Sequence, residues 1–161
     1  SSDLANRVLD VLGGPPALTA FMRSIGDPTT RLDRREPELN EATPGDPRDS
    51  TTPRAAAGSL ARVLLGDRLS PASRGVLDDW MRGDQVAGAL LRKVLPAGWT
   101  IADKTGAGGH GSRSILAKVQ PPGRPPLVVA IYVAATTAPM AASDAAIARM
   151  GAALFGSLGS P

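Results

Sequence analysis

Apolar residues in the first part of the chain recur at helical spacing in two short runs. The first run covers residues 4–12 and stops at Gly13-Gly14-Pro15-Pro16, and the second covers residues 17–25 and stops at Gly26-Asp27-Pro28. Glycine and proline end helices because their backbone preferences differ from those of a helix interior. The pattern therefore predicts two short helices that pack side by side.

Residues 31–53 show no apolar period longer than four residues. Four prolines interrupt this segment, and its charged residues are mixed in sign. A stretch of about twenty residues without regular structure is uncommon in a compact domain, and is usually functional or disordered. The mixed charges predict a loop that ion pairs close on itself, and a flexible, solvated loop is the alternative.

Helical spacing returns after this segment. Thr52-Pro53 and Ser70-Pro71 are typical helix starts, because a hydroxyl caps the first turn and proline fits it. Residues 86–94 predict a third helix, which Pro96 stops. These helices are expected to form one layer, and the first two have buried stripes made of Ala56, Leu60, Val63 and Leu64, and of Val76, Leu77, Trp80 and Met81.

The pattern becomes strand-like from Trp99 onward, over residues 99–104, 114–119 and 127–133. Because the connections are short, the strands are predicted to form an antiparallel three-stranded meander. Asp144 is predicted to cap a final helix that covers one face of the sheet through Ile147, Met150, Leu154 and Phe155. The fold class is therefore α+β, with a helical layer and an antiparallel sheet covered by a C-terminal helix.

The amino-acid composition excludes several kinds of functional site and partner. The 161 residues include no cysteine and one histidine, His110, so Cys-ligated zinc and multi-histidine metal sites are excluded, and no cofactor is expected. The net charge is +3, but the basic residues are scattered, and two Trp, one Tyr and two Phe give little surface for stacking bases. No apolar run approaches the roughly 18 residues that span a bilayer. We expect neither a nucleic-acid nor a membrane partner.

Glu36 lies among cationic residues and directly precedes Pro37. A residue before proline is kept out of the right-handed helical region, and its peptide bond is a candidate for the cis form, which would fix the direction of the carboxylate. Such a carboxylate can act as a general base on a positioned water. The alternative is an ordinary ion-pair partner in a loop.

Lys104-Thr105-Gly106-Ala107-Gly108 lies at the end of the first predicted strand. A cation, a hydroxyl and backbone N–H groups beside glycine can bind a carboxylate or an oxyanion at a sheet edge. Arg113 can reach the same edge from the next strand. The alternative is an edge strand that Lys and Gly protect against aggregation.

Four segments together resemble the class A serine β-lactamases in order and spacing, and the resemblance extends from about Leu4 to the C-terminus. Gly108 to Ser114 is most similar to the carbenicillin-hydrolysing branch. The four segments are Arg31 to Asn40, Gly45 to Pro53, Leu95 to Trp99 and Ala102 to Gly108. The resemblance implies hydrolysis of penicillin-type β-lactams through an acyl-enzyme, in the bacterial periplasm or outside the cell.

The resemblance also implies the roles of the loop residues. Residues 31–49 would be the omega loop beside the active site, which Arg34 closes by pairing with Asp49. Glu36 would activate the water that deacylates the intermediate, and Asn40 would help to hold that water.

For the strand, the resemblance implies that Lys104, Thr105 and Arg113 bind the β-lactam carboxylate. The Ala107 N–H would be one oxyanion donor, and Gly106 would let the substrate approach the strand edge.

Further structural expectations follow from the same resemblance. Asp84 is expected near Lys104, and Arg92 is expected to pair with buried Asp103. His110 is expected at the surface of a hairpin turn. Apart from the resemblance, the tryptophans at positions 80 and 99 are expected to be packing residues rather than ligand platforms.

The sequence departs from the family at its start. The Ser-x-x-Lys motif that supplies the family's nucleophile and its lysine does not occur here. We therefore expect residues 1–161 to be a C-terminal portion of the catalytic domain. Residues 4–96 would be its helical part with the omega loop, and residues 97–161 its sheet hairpins and C-terminal helix. Apolar surfaces that the missing part normally buries would then be exposed.

Three functions remain open. The chain can be part of a β-lactamase that is inactive alone, a fragment that binds β-lactams without turnover, or one half of a split enzyme that needs an N-terminal partner.

Overall fold

The computed structural model describes residues 2–159, and the two ends of the predicted domain, residues 1 and 160–161, lie outside them. Within this part of the chain, the helices are α1 (Ser2–Leu12), α2 (Pro15–Ser24), α3 (Pro53–Leu64), α4 (Pro71–Arg82) and α5 (Met140–Gly159). The strands are β1 (Thr100–Ala107), β2 (Arg113–Gln120) and β3 (Leu127–Val133). Short 3₁₀ turns cover Glu38–Asn40 and Leu91–Val94. The predicted α+β class is confirmed.

The predicted starts of α3 and α4 are confirmed by their capping bonds. The Thr52 hydroxyl accepts from the Ala55 N–H at 3.2 Å, and the Ser70 hydroxyl accepts from the Ser73 N–H at 3.1 Å. Proline occupies the first turn of each helix. Each cap satisfies a backbone donor that has no partner inside the helix.

The three strands form the predicted antiparallel meander, in the order β1-β2-β3. Lys104 lies opposite Leu116, and Ala107 lies opposite Arg113. Successive side chains point to opposite faces of a sheet, so the sheet contributes to two cores. Ile115, Ala117 and Val119 join one core, and Leu116 contributes to the other.

Helices cover both faces of the sheet. On one face, Ile147 and Phe155 of α5 pack with Leu91 and the inward residues of β2. On the other face, Leu60 and Leu64 of α3 and Met81 of α4 pack against Ala102. The candidate binding residues of β1 therefore lie on a strand that helices cover on both faces of the sheet.

Two helix predictions are wrong. Residues 86–94 do not form a helix, because the Asp84 side chain accepts from the Val86 N–H at 2.6 Å and starts a turn, and only Leu91–Val94 is helical, as a 3₁₀ turn. Buried Ala87, Leu90 and Leu91 create the apolar pattern without a helix. Asp144 does not cap α5, which begins at Met140.

The predicted apolar faces of α4 and α5 are only partly buried. In α4, Met81 is buried, but Val76 is 47% exposed and Trp80 is 74% exposed. In α5, Ile147 and Phe155 are buried, whereas Met150 and Leu154 are exposed. The expectation that Trp80 is a packing residue is therefore wrong for the described chain, although Trp99 packs against Phe155 with ring centroids 5.5 Å apart.

None of the helices within residues 2–159 combines the length and the apolar character that crossing a bilayer requires.

Candidate functional site

The omega loop is closed by ion pairs, as predicted. Arg34 Nε lies 2.6 Å from Asp49 Oδ2, and the second Asp49 oxygen accepts from the N–H groups of Asp33 and Arg34 at 2.7 and 2.9 Å. Burial alone would raise the pKa of Asp49, but the Asp33 N–H and the Arg34 guanidinium outweigh it and hold the pKa below its usual range. Arg34 also contacts Glu41. The two ends of the loop are thereby joined.

Asp27 anchors the entrance of the loop and was not identified from the sequence. Its side chain is almost completely buried, and it accepts from the N–H groups of Thr29 and Thr30 at 2.8 and 2.9 Å and from the Ser59 hydroxyl at 2.8 Å. Burial raises the pKa of Asp27, but the hydrogen bonds from Thr30 and Ser59 dominate and lower it well below its ordinary value. The carboxylate joins the loop to α3.

Glu36 is held at its backbone and at its carboxylate. The Asn6 side chain accepts from the Glu36 N–H at 3.0 Å and donates to the Glu36 carbonyl at 2.9 Å. The Asn40 amide donates to Glu36 Oε2 at 2.5 Å. The Glu36–Pro37 peptide bond is cis, as the sequence suggested. Asn6 was missed because its only sequence signal is an amide within a helix, thirty residues from its partner.

Arg113 reaches the β1 edge from β2, as predicted, but it is also engaged from α5. Its guanidinium donates from Nε to Asp144 Oδ1 at 2.7 Å and from Nη1 to the Gly106 carbonyl at 3.2 Å. The arginine is 8% exposed, so this pair is largely desolvated. Asp144 therefore orients a substrate-binding candidate, which is a different role from the predicted cap.

Lys104 is exposed on β1, and its ammonium group donates to the Thr105 carbonyl at 2.7 Å. Behind it, buried Asp103 accepts from Arg92 Nε at 2.9 Å, which is the predicted pair. The hydrogen bond with Asp103 raises the pKa of Arg92. Asp84 lines the same cavity as Lys104, as expected, and its Oδ2 is buried without a hydrogen-bond partner among the described residues.

The structure brings some of the predicted site residues into one cavity and leaves others beside it. A cavity of about 400 Å³ is lined by Asn40, Gly106, Ala107 and Arg113. Lys104 lies on a neighbouring cavity of about 590 Å³. Glu36 lines neither cavity and is linked to the first through Asn40, and Thr105 is also absent from both linings.

The described residues contain no group of three or more His, Cys, Asp or Glu side chains that could hold a metal ion. What the arrangement offers is a carboxylate, an amide, two cations and strand-edge N–H groups. Together these groups suit proton transfer and binding of an anion.

A profile of the β-lactamase enzyme family matches residues 1–158. The chain belongs to this family. Its relatives include β-lactamase AER-1 of Aeromonas hydrophila, 61% identical over 93% of this chain and 49% of the relative. β-Lactamase CARB-3 of Pseudomonas aeruginosa is 51% identical over 94% of this chain and 52% of the relative. The chain thus spans about half the length of these curated relatives.

Solved β-lactamase structures have the same fold as this chain. An ancestral class A β-lactamase aligns with a TM-score of 0.92 and 54% identity, over 94% of this chain and 58% of that one. The chromosome-encoded β-lactamase of Vibrio parahaemolyticus aligns with a TM-score of 0.94 and 45% identity, over 97% of this chain and 59% of that one. The class A resemblance found in the sequence is confirmed.

Proposed function

We propose that residues 1–161 are the C-terminal portion of a class A serine β-lactamase catalytic domain, which hydrolyses penicillin-type β-lactams through an acyl-enzyme. The observation that carries the proposal is the contact of the Asn40 amide with the Glu36 carboxylate, beside the open edge of β1. Membership in the family supports the reaction class. The bacterial relatives support a periplasmic or secreted location.

In the proposed deacylation step, Glu36 is the general base. Its carboxylate takes a proton from a water that the Asn40 side chain helps to hold, and the water oxygen bonds to the acyl carbonyl carbon. The ester bond to serine then breaks, and the proton passes to the serine oxygen. Asn6 contributes by fixing the backbone of Glu36 at both its N–H and its carbonyl.

The proposed substrate-binding group is the β1 edge with Arg113. Lys104, Thr105 and Arg113 bind the β-lactam carboxylate, and the Ala107 N–H stabilises the oxyanion. Gly106 leaves room for the substrate. A Cβ atom there would lie 2.7 Å from the Ser114 hydroxyl, so a larger residue at this position would have to displace Ser114 or shift the strand.

The serine comes from a segment outside this sequence, since no Ser-x-x-Lys occurs in residues 1–161. We propose that the chain is inactive alone and that an N-terminal partner segment fills an apolar groove between the helices and the sheet. The groove consists of two cavities, one of about 450 Å³ and one of about 590 Å³, that share Leu60, Leu77 and Leu116. The matched relatives are about twice as long as this chain, so their unmatched half supplies the occupant.

A complementation experiment tests the proposal. The purified chain is mixed with the separately produced N-terminal half of AER-1, the part of that relative that this chain does not match. Hydrolysis of a chromogenic cephalosporin is followed in the mixture and in each half alone. We expect turnover only in the mixture.

The Glu36→Gln chain is the matched variant, because it preserves shape and removes the base. We expect turnover to fall by about 10²–10⁴-fold, the range of general-base catalysis. An acyl adduct on the partner's serine should accumulate and be visible by mass spectrometry. Lys104→Ala should instead weaken substrate binding. Turnover by the isolated chain, or full turnover with Glu36→Gln, would contradict the proposal.

A second candidate is a fragment that binds β-lactams without hydrolysing them. The buried Arg113 and the open β1 edge favour it, because both lie within this chain. Calorimetric titration of the chain with benzylpenicillin distinguishes the two functions. Binding without product, together with failure of complementation, would favour the second candidate.

A further inference from the structure

The turn between β1 and β2 lies between the omega loop and the segment that follows β3. On one side, the Gly109 N–H donates to the Asn40 carbonyl at 2.7 Å. On the other side, the Thr136 N–H donates to the His110 carbonyl at 3.2 Å. The turn therefore connects the loop that carries Glu36 with the strand that carries Lys104.

The turn is seated tightly against the omega loop. A Cβ atom built at Gly109 would lie 2.2 Å from the Glu41 carbonyl oxygen, so only glycine fits there. His110 follows with φ 52°, in the left-handed region that few side chains adopt readily. This backbone conformation aims the imidazole at the omega loop.

His110 contributes a second link to the loop. Its Nδ1 lies 3.0 Å from the Glu41 carbonyl oxygen. A carbonyl oxygen only accepts hydrogen bonds, so Nδ1 carries the proton in this contact. The neutral ring is therefore held in the tautomer with hydrogen on Nδ1, and the imidazolium ion makes the same bond.

Two successive carbonyls of the loop, those of Asn40 and Glu41, are thus held by two successive residues of the turn. The side chain of Asn40 in turn donates to the Glu36 carboxylate. We propose that His110 is a positioning residue for Glu36, which acts through Glu41 and Asn40. The effect of His110 on catalysis rests on the proposed role of Glu36. The contact between His110 and the Glu41 carbonyl does not depend on that role.

The tautomer of His110 gives a direct test, because this is the only histidine in the chain. Imidazole ¹⁵N shifts of the histidine-labelled chain are recorded at about pH 9, where a histidine ring is neutral. We expect the signals of the form protonated on Nδ1. Signals of the form protonated on Nε2, which free histidine favours, would overturn the proposal.

Two variants separate the donor from the backbone conformation. His110→Asn and His110→Asp have the same shape and both tolerate positive φ, but only Asn can donate to the Glu41 carbonyl. We expect hydrogen exchange at the backbone N–H groups of Gly109 and Asn40 to be about tenfold faster in His110→Asp. Loss of one hydrogen bond of about 1.4 kcal/mol implies this factor. His110→Asn should exchange like the parent. Equal exchange in the two variants would contradict the proposal.

The complemented enzyme provides the catalytic readout. With His110→Asp, kcat should fall and the acyl adduct should persist. His110→Asn should keep the kcat and the short-lived adduct of the parent. If complementation fails altogether, the tautomer and exchange measurements still decide the contact. Failure of the proposed function is therefore distinguishable from failure of this inference.

Discussion

At the scale of single residues, buried Asp27 links the omega loop to α3 through charge-assisted hydrogen bonds. Its pKa in the folded chain lies well below the unfolded value of about 3.9. Its contribution to stability is therefore complete above about pH 4 and is lost as the pH falls through the lower, folded pKa. We therefore expect the omega loop to detach from α3 at acidic pH, where the hydrogen bonds of the Asp27 carboxylate are lost.

Asp27→Asn should lower the free energy of unfolding at pH 7 by about 2 kcal/mol, because it weakens hydrogen bonds to a buried charge. It should also flatten the pH dependence of stability below pH 4. Urea unfolding between pH 2 and pH 7 measures both effects. Asp67→Asn is the control, since the Asp67 side chain is 99% exposed. An unchanged acid limb in Asp27→Asn would refute this role.

Residue roles could be predicted where partners are close in sequence or share a recognisable motif. The pairing of Arg34 with Asp49 follows from the resemblance, and the mixed charges of the loop are consistent with it. Asn6 and Asp144 could not be predicted, because their partners lie about thirty residues away. A polar residue inside a helix does not reveal by itself what it will meet across the fold.

At the scale of elements, α5 depends on a few buried side chains. Phe155 is 2% exposed and packs against Trp99, whereas Leu154, its neighbour in the helix, is 37% exposed. Asp144 adds an ion pair to Arg113 at the other end of the interface. The helix is therefore held by buried Ile147 and Phe155 and by the desolvated pair of Asp144 with Arg113.

Phe155→Ala should lower the free energy of unfolding by about 3–5 kcal/mol, since it removes a large buried side chain and leaves a cavity. Leu154→Ala should cost less than about 1 kcal/mol, because the side chain is already exposed. Urea unfolding of the two variants, followed by circular dichroism, makes the comparison. Similar losses in both would show that α5 is not held by the Phe155 contact.

Element prediction succeeded where caps and periodicity agreed, as at Thr52-Pro53 and along β3. It failed over residues 86–94, where buried apolar residues pack from a turn rather than from a helix. Periodicity reports which residues are buried, and it does not distinguish a helix from a compact turn over so short a run. The start of α5 was missed for a related reason, because Asp144 resembles a cap but serves Arg113.

At the scale of the whole molecule, the sheet is covered on both faces, yet an apolar groove stays open beside α4. Leu77 and Leu116 line both of its cavities, and Trp80 stands at its rim with 74% of its surface exposed. An open apolar groove with cavities of about 450 and 590 Å³ favours association with another segment. Lys104 lines the larger of the two cavities, whereas Glu36 lines neither, so a variant of a groove leucine tests association without changing Glu36 or Lys104.

Leu77→Asp places a charge in the groove and should abolish binding of the N-terminal half, since burying an unpaired carboxylate is costly. Leu65→Asp is the matched control, because Leu65 is 42% exposed and lies outside both cavities. Analytical ultracentrifugation of each variant with the N-terminal half measures binding without requiring turnover. Circular dichroism establishes that each variant is folded. If Leu77→Asp and Leu65→Asp bind equally well, the partner does not occupy the groove, and the serine must reach Glu36 and Lys104 by another surface.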